Sequence, residues 1–483
     1  MLSCPALAAC GQQYDPWKKY GLDALKEDFL VFRYALEESH PGLYSFRSKG
    51  YMDSVFSAAQ KRLQGPMSEL DLVRILAGIT AQIGCGHTAV AASDDYWALH
   101  LNREPVLFPL LIRYIGKEMY VREDNSGTNS LPVGTRILTI NGTAIPELTK
   151  KLFSMIPGDG FIETSKYVQL NVDFYLYYNI LIGSPAEFVM DCELPGGEKK
   201  TVTLKAMKAS ALKKVRDERL AKLNLPKFRH LRLKIYPDSG IGVLTVHTFS
   251  HKVLRKNKEK FKSFIKSAFR LIKRSGVKNL IIDLRWNTGG EDTYEGYLYS
   301  FIADSVFRVY RNNYITTQKA FSYPNYMDKP YRFNLYKKMA VKNEVGKDEI
   351  RFLKMRKWKK PKKENHFGGK VYVIINGGTF SAASSFASLA NHHKRAIFIG
   401  EESGGDYYGC NGVVYPQLIL PNTSVRVRFP LVRNVFDVKG FPARGRGVMP
   451  DYPVERSVED LMANRDTELR FAIDLILKNK MMR

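Results

Sequence analysis

Residues 371–405, VYVIINGGTFSAASSFASLANHHKRAIFIGEESGG, decide the fold. Val371 to Ile375 is a short apolar, β-branched run that reads as a buried strand. Asn376, Gly377 and Gly378 make a tight turn. Ser381 then opens a run of small residues to Ala390, with Phe386 and Leu389 added, that reads as a helix packed closely against a neighbour. Ala396 to Ile399 returns as a second β-branched run into another glycine-rich turn. A serine at the mouth of a strand-turn-helix unit has an exposed hydroxyl near the positive end of a helix dipole. Both features favour a nucleophile that must become anionic. The same position also suits a plain helix cap, the commoner use of serine there.

Residues 280–290, LIIDLRWNTGG, form another buried strand ending in a Gly-Gly turn. Backbone N–H groups in such turns converge on anions. Two motifs occur in order: Asp283-Leu284-Arg285-x-Asn287-x-Gly289-Gly290, then Ser381-Ala382-Ala383. Together they resemble the C-terminal processing (tail-specific) and tricorn-core serine peptidase superfamily, which includes the repeats of interphotoreceptor retinoid-binding protein. The resemblance runs from about residue 25 to the C-terminus. It implies an α/β fold with a ClpP/crotonase-like spiral of β-α units, an N-terminal helical segment and a PDZ-like β-rich domain.

Along the chain, residues 13–98 read as helical. Phe29, Phe32 and Leu36 share a helix face that stops at His40-Pro41-Gly42, and Leu72, Ile75, Leu76, Ile79 and Ile83 repeat at helical spacing behind a Ser68 cap. That second helix runs into Gly84-Cys85-Gly86-His87-Thr88. Residues 99–207 alternate and turn as strands do. Gly134-Thr135-Arg136-Ile137-Leu138-Thr139-Ile140-Asn141-Gly142 resembles a PDZ segment, with Thr135 in place of the usual aspartate. By the same resemblance, residues 208–483 are expected to form the serine peptidase core. It opens with a basic connector over 208–238, is interrupted by a Tyr- and Lys-rich insertion at 312–366, and closes on a helix from Leu461 to Leu477.

The chemistry follows from the resemblance. A serine hydroxyl needs a base within hydrogen-bond reach. The processing peptidases use a lysine, but Asp406 stands at that position here. That leaves a histidine base, as in the tricorn-like branch. His87 is the first candidate and His40 a weaker one. Imidazole suits the role because its ordinary pKa lies near working pH. The glutamate that orients the base in tricorn is replaced by Arg444 at the matching position, so Glu402, or Glu401 beside it, is expected to substitute. The oxyanion donors implied are the backbone N–H groups of Gly289 or Gly290 and of Ala382. Asp283, Arg285 and Asn287 read as supports of that turn, and Ser384 and Ser385 as packing. No metal or cofactor is expected.

The chain carries 483 residues, 45% hydrophobic, with a formal charge of +26. No apolar run is long enough to span a bilayer. One dense basic run, Lys354, Arg356, Lys357, Lys359, Lys360, Lys362 and Lys363, is broken by Trp358 and Pro361. It has no nucleic-acid module beside it, so nucleic acid is not an expected partner. Five scattered cysteines have neither metal spacing nor the density of a disulfide framework; a Cys85–Cys410 bridge is conceivable, and free core thiols are expected. Residues 1–12, with Leu7-Ala8-Ala9-Cys10, read as the remnant of a bacterial export signal. This predicts a periplasmic or cell-surface location, with membrane attachment through a lipidated Cys10.

The expected function is therefore an exported serine endopeptidase acting on unfolded or extended polypeptides through Ser381, His87 and Glu402. One alternative is an inactive family member that binds peptide or an apolar ligand in the same groove. Another is a crotonase-type acyl-CoA enzyme of similar core topology, against which the PDZ-like segment and the Gly-His-Thr turn argue.

Overall fold

Alternating and continuous apolar runs lead to different sheets here. The computed structural model describes residues 14–15, 18–102, 104–222, 228–316, 319–328, 333–334, 340–342, 348–350, 356–440 and 443–481. The expected signal remnant with Cys10, and Lys354 of the basic run, lie outside these residues.

The N-terminal segment is helical, as expected. α1 (Leu22–Ser39), α2 (Lys49–Lys61) and α3 (Glu69–Ile83) bury Phe29, Phe32, Phe56, Leu72, Leu76 and Ile83 in one cluster. α3 starts on a full capping box. The Ser68 side chain accepts from the Asp71 N–H, and the Asp71 carboxylate accepts from the Ser68 N–H. α3 stops at Gly84, whose φ of 70° is left-handed. The chain then turns through Cys85 to Thr88 into the short strand β1 (Ala89–Ala91).

A second unit holds β2 (Leu110–Ile115), β3 (Glu118–Asp124), β4 (Arg136–Ile137), α4 (Thr164–Tyr177), β5 (Glu187–Glu193) and β6 (Lys199–Lys205). Its sheet is antiparallel, in the order β6-β5-β4-β3-β2. Leu110, Ile112 and Tyr114 alternate inward, the pattern of a sheet with one wet face. Asn141 and Gly142 sit at φ 48° and 75°, the two-residue turn that an Asn-Gly pair predicts.

The core comprises β7 (Leu231–Tyr236), β8 (Ile241–Val246), α5 (Phe261–Arg274), β9 (Asn279–Asp283), β10 (Lys370–Ile375), α6 (Ala382–His392), β11 (Ile397–Gly400), β12 (Gln417–Ile419), β13 (Arg426–Arg428), β14 (Tyr452–Pro453) and α7 (Thr467–Met481). Six of these strands make one sheet, β7-β8-β9-β10-β11-β14, parallel except for β7 at its edge. The runs in β8, β9 and β10 are buried on both faces, which is why they are continuously apolar. α5 and α6 cover one face through Ile265, Phe269, Phe386 and Leu389, and α7 covers the other through Ala472 and Ile476. The fold is thus mixed α/β, with the β-α-β core expected from the sequence.

The basic connector 208–238 contains a helix (Ala209–Lys222) and the edge strand β7, whose Leu231, Leu233 and Ile235 alternate with basic residues. In the described parts of the insertion 312–366, Ile315, Phe321, Met327 and Phe333 pack into the α1–α3 cluster. The β12–β13 hairpin reaches the same cluster. It pairs with β1, Arg428 opposite Ala89 and Arg426 opposite Ala91, and so ties the C-terminal half to the turn bearing His87. Among the described residues, no helix is long and apolar enough to cross a membrane.

Candidate active site

Ser381 sits where β10 turns into α6, with φ 55° and ψ −122°, a conformation that L-residues other than glycine rarely adopt. The turn around it is over-determined. Asn376 Oδ1 accepts from the N–H groups of Gly378 and Trp286, the Phe380 N–H donates to Asn287 O, and the Ser384 hydroxyl donates to Thr379 O. Such strain persists only where the surroundings enforce it, and it gathers at functional sites. The Ser381 side chain accepts no capping bond from the helix, so the cap reading does not describe it.

The hydroxyl meets a histidine from the other end of the chain. His87 Nε2 lies 3.2 Å from Ser381 Oγ, across 294 residues. Helix α3 ends at Gly84 and delivers His87 on the following turn, while β1 and the β12–β13 hairpin hold that turn in place. The ring stacks on Phe380 at 4.6 Å and on Tyr415 at 5.5 Å. Burial, with the Arg428 guanidinium nearby, pushes its pKa down to about 3, so the imidazole is neutral.

His40 is not part of this pair. Its Nδ1 accepts from the Gly42 N–H at 3.1 Å, so its proton is on Nε2, which donates to Thr88 Oγ1 at 2.7 Å. It is a buried structural histidine that braces the residue next to His87.

The Gly289–Gly290 turn lies against Ser381. A Cβ on Gly289 would stand 2.7 Å from Ser381 Cβ and 2.9 Å from Ala382 N, so only glycine fits. The Gly289 N–H donates to Asn287 Oδ1 at 3.0 Å and is occupied, which corrects its expected role as an oxyanion donor. The N–H groups of Gly290 and Ala382 make no hydrogen bond among the described residues. Asn287 also donates to Val246 O, and Arg285 is gripped by Asp283, Asp466 and Glu468 at 2.7–3.0 Å; both are supports. Ser384 and Ser385 are buried and bond to backbone carbonyls.

Glu402 is placed elsewhere than expected. Its oxygens accept from Arg446 Nε at 2.8 Å, Arg446 Nη2 at 2.7 Å and the Gly447 N–H at 2.9 Å. The planar guanidinium matches both carboxylate oxygens, and this fork holds Glu402 on its own loop. Glu401 faces Arg113, and Arg444 is exposed. His87 Nδ1 is buried with no hydrogen-bond partner among the described residues. Cys85, Cys192 and Cys410 are free thiols, so Cys85 and Cys410 are not bridged.

Sequence reasoning missed Asp159. It lies in the Pro157-Gly158-Asp159-Gly160 turn, which reads as an ordinary loop. In the structure its Oδ1 accepts from the Gly86 N–H at 2.8 Å, immediately before His87. Cys85, His87 and Asp159 bring a sulfur, a ring nitrogen and a carboxylate oxygen within 4.8 Å of one another. Burial and the Asp159 carboxylate push the Cys85 thiol up to about 11, so it stays neutral and a weak metal donor.

Residues 240–454, from β8 through β14, match the model of peptidase family S41. That span belongs to the family. An S41 peptidase is a serine-type hydrolase, and the matched span contains Ser381, both glycine-rich turns and the parallel sheet. Solved structures agree at the level of fold. Mature CPAF complexed with lactacystin superposes with a TM-score of 0.66 at 13% identity, covering 94% of this chain and 98% of that one. Mature CPAF gives 0.64 at 14%, covering 93% and 96%. A putative peptidase from Parabacteroides merdae aligns at 16% identity with a TM-score of 0.49, covering 95% and 97%. The match to CPAF extends over the α1–α3 segment and the antiparallel unit, which lie outside the S41 match.

Proposed function

We propose that this S41 peptidase is an exported serine endopeptidase that cleaves unfolded or extended polypeptides through a Ser381 acyl-enzyme, with His87 as general base. The observation that carries the reading is the 3.2 Å approach of a buried neutral imidazole to the hydroxyl of a strained serine. His87 Nε2 takes the hydroxyl proton as Ser381 Oγ bonds to the scissile carbonyl carbon. The developing oxyanion is met by the Ala382 N–H at the start of α6 and by the Gly290 N–H. Fixed donors of this kind each contribute roughly 100- to 1,000-fold in rate. The imidazolium then protonates the leaving amine, and a water activated by the same ring releases the acyl group. An extended substrate suits the antiparallel unit, which resembles a PDZ domain in its Asn141-Gly142 segment and would add a peptide strand at a sheet edge. Export rests on the lipobox-like Leu7-Ala8-Ala9-Cys10.

The second reading, a binding protein without activity, draws on the unpartnered His87 Nδ1. A fluorophosphonate probe and casein hydrolysis separate the two. The peptidase reading expects labelling and hydrolysis that vanish in Ser381→Ala and fall roughly 100- to 10,000-fold in His87→Ala. A folded wild type that shows neither overturns it.

A further inference from the structure

His87 enters the reaction with one ring nitrogen on Ser381 and the other buried without a partner. An imidazole that must accept a proton on Nε2 has to carry its own proton on Nδ1, and the imidazolium that follows needs an anion beside that N–H. Neither glutamate of the 401–402 loop is there. Glu402 is forked to Arg446 and Glu401 faces Arg113. Asp159 places a carboxylate oxygen within 4.8 Å of a His87 ring nitrogen.

Resting on the Ser381–His87 reading, we propose that Asp159 is the positioning residue of His87, holding its proton on Nδ1 and stabilising the imidazolium in place of a C-terminal glutamate.

The surroundings fix Asp159 for this role. Its Oδ1 accepts from the Gly86 N–H at 2.8 Å and Oδ2 from the Asp406 N–H at 3.4 Å. The loop itself is locked on both sides, since the Gly160 N–H donates to Gly84 O and the Phe161 N–H donates to Gly445 O. Asp159 is therefore bonded directly to the His87 turn. Bonds of this kind are often long in a resting enzyme and shorten in the substrate complex. Asp406, at the position where the processing peptidases carry lysine, stands behind Asp159, with its own carboxylate held by Arg433 and the Gly445 N–H. Burial and the Asp406 charge push the Asp159 carboxyl up to about 7. The other charged or titratable groups facing this pair are Cys85, Cys410, Tyr415 and Arg428. The only proton moved is that from Ser381 Oγ to His87 Nε2. Asp159 stays ionised and Nδ1 keeps its hydrogen.

Asp159→Asn is the decisive variant, because its amide oxygen still accepts from the Gly86 N–H while the charge is gone. The proposal expects kcat, and the rate of fluorophosphonate labelling, to fall roughly 100-fold or more with KM nearly unchanged. It also expects the wild-type rise in kcat/KM near pH 7 to disappear. Glu402→Gln, the control, keeps that rise. Ring-15N spectra, with His87 assigned through His87→Gln, are expected to show the Nδ1–H tautomer in wild type and Glu402→Gln, and its loss in Asp159→Asn. A labelled wild type with Asp159→Asn within twofold of it overturns the proposal and leaves the peptidase reading intact. An unlabelled wild type sinks the peptidase reading, and the spectra then decide the pairing alone: an Nε2–H tautomer, or one indifferent to Asp159, overturns it.

Discussion

At the scale of single residues, the site is shaped by what is missing from a side chain as much as by what is present. Gly289 at φ 91° lies under Ser381, and a methyl group there would meet Ser381 Cβ at 2.7 Å. Gly289→Ala is expected to cost roughly 1–3 kcal/mol in thermal unfolding and to slow serine labelling about 100-fold or more, by displacing the nucleophile from its donors. Buried histidines set the acid limit. His40 and His87 are both held down to about 3, against about 6.5 in an unfolded chain. Their contribution is complete above pH 6.5 and is lost as the pH falls toward 3. The unfolded state binds up to two more protons there, so stability falls by as much as ~2.7 kcal/mol per pH unit. Urea unfolding at several pH values checks this, and His40→Asn is expected to flatten about half of the slope. Asp159 works in the opposite sense. Its carboxyl is raised, so its contribution is present below pH 4 and is lost as the pH rises through about 7. Asp159→Asn is expected to gain stability on wild type between pH 4 and 8, by a few kcal/mol at most. The serine and the histidine were legible in the sequence because each sits at the end of a strong periodic run. Asp159 was not, since an aspartate between glycines is ordinary turn chemistry and its contact with Gly86 spans 73 residues.

At the scale of elements, the histidine turn depends on a hairpin far away in sequence. Asp28 on α1 is buried, and its carboxylate accepts from the N–H groups of Asn422 and Thr423 and from the Asn422 side-chain amide, and also bonds the Thr423 hydroxyl. This clamps the tip of β12–β13, whose second strand pairs with β1 behind His87. Asp28→Ala strands several buried donors and is expected to destabilise the fold by about 2–4 kcal/mol while loosening His87. Thermal unfolding together with labelling kinetics reads both effects. The face of α5 that is buried, Phe261, Ile265, Ala268, Phe269 and Ile272, recurs at helical spacing in contiguous sequence. The pairing of β13 with β1 carried no such signal. Both strands are three residues long, and their partners are chosen by space rather than by pattern.

For the whole molecule, the Arg285 hub decides how the ends of the core meet. Its guanidinium binds Asp283 on β9 together with Asp466 and Glu468 at the start of α7, and so fixes the C-terminal helix to the sheet. Arg285→Met leaves buried carboxylates uncompensated, and a loss of roughly 3–5 kcal/mol in urea unfolding is expected. The basic run belongs to this scale too. Lys359 exchanges backbone bonds with Phe307, and the Lys362 ammonium lies over the rings of Tyr297 and Phe301, so these two are tied to the core while Lys357, Lys360 and Lys363 are exposed.

The sequence by itself determined the parallel sheet, the helix faces, the Ser381 turn and the Gly289–Gly290 turn. Each of these is written in contiguous residues through hydrophobic period, turn chemistry and the steric freedom of glycine. Tertiary structure alone decided which histidine meets the serine, that Gly289 spends its N–H on Asn287, that Glu402 turns to Arg446, and that Asp159 takes the Gly86 N–H beside His87. These are choices among partners tens to hundreds of residues apart. They are set by which buried polar groups packing brings within about 3 Å of one another, and no local pattern encodes that distance.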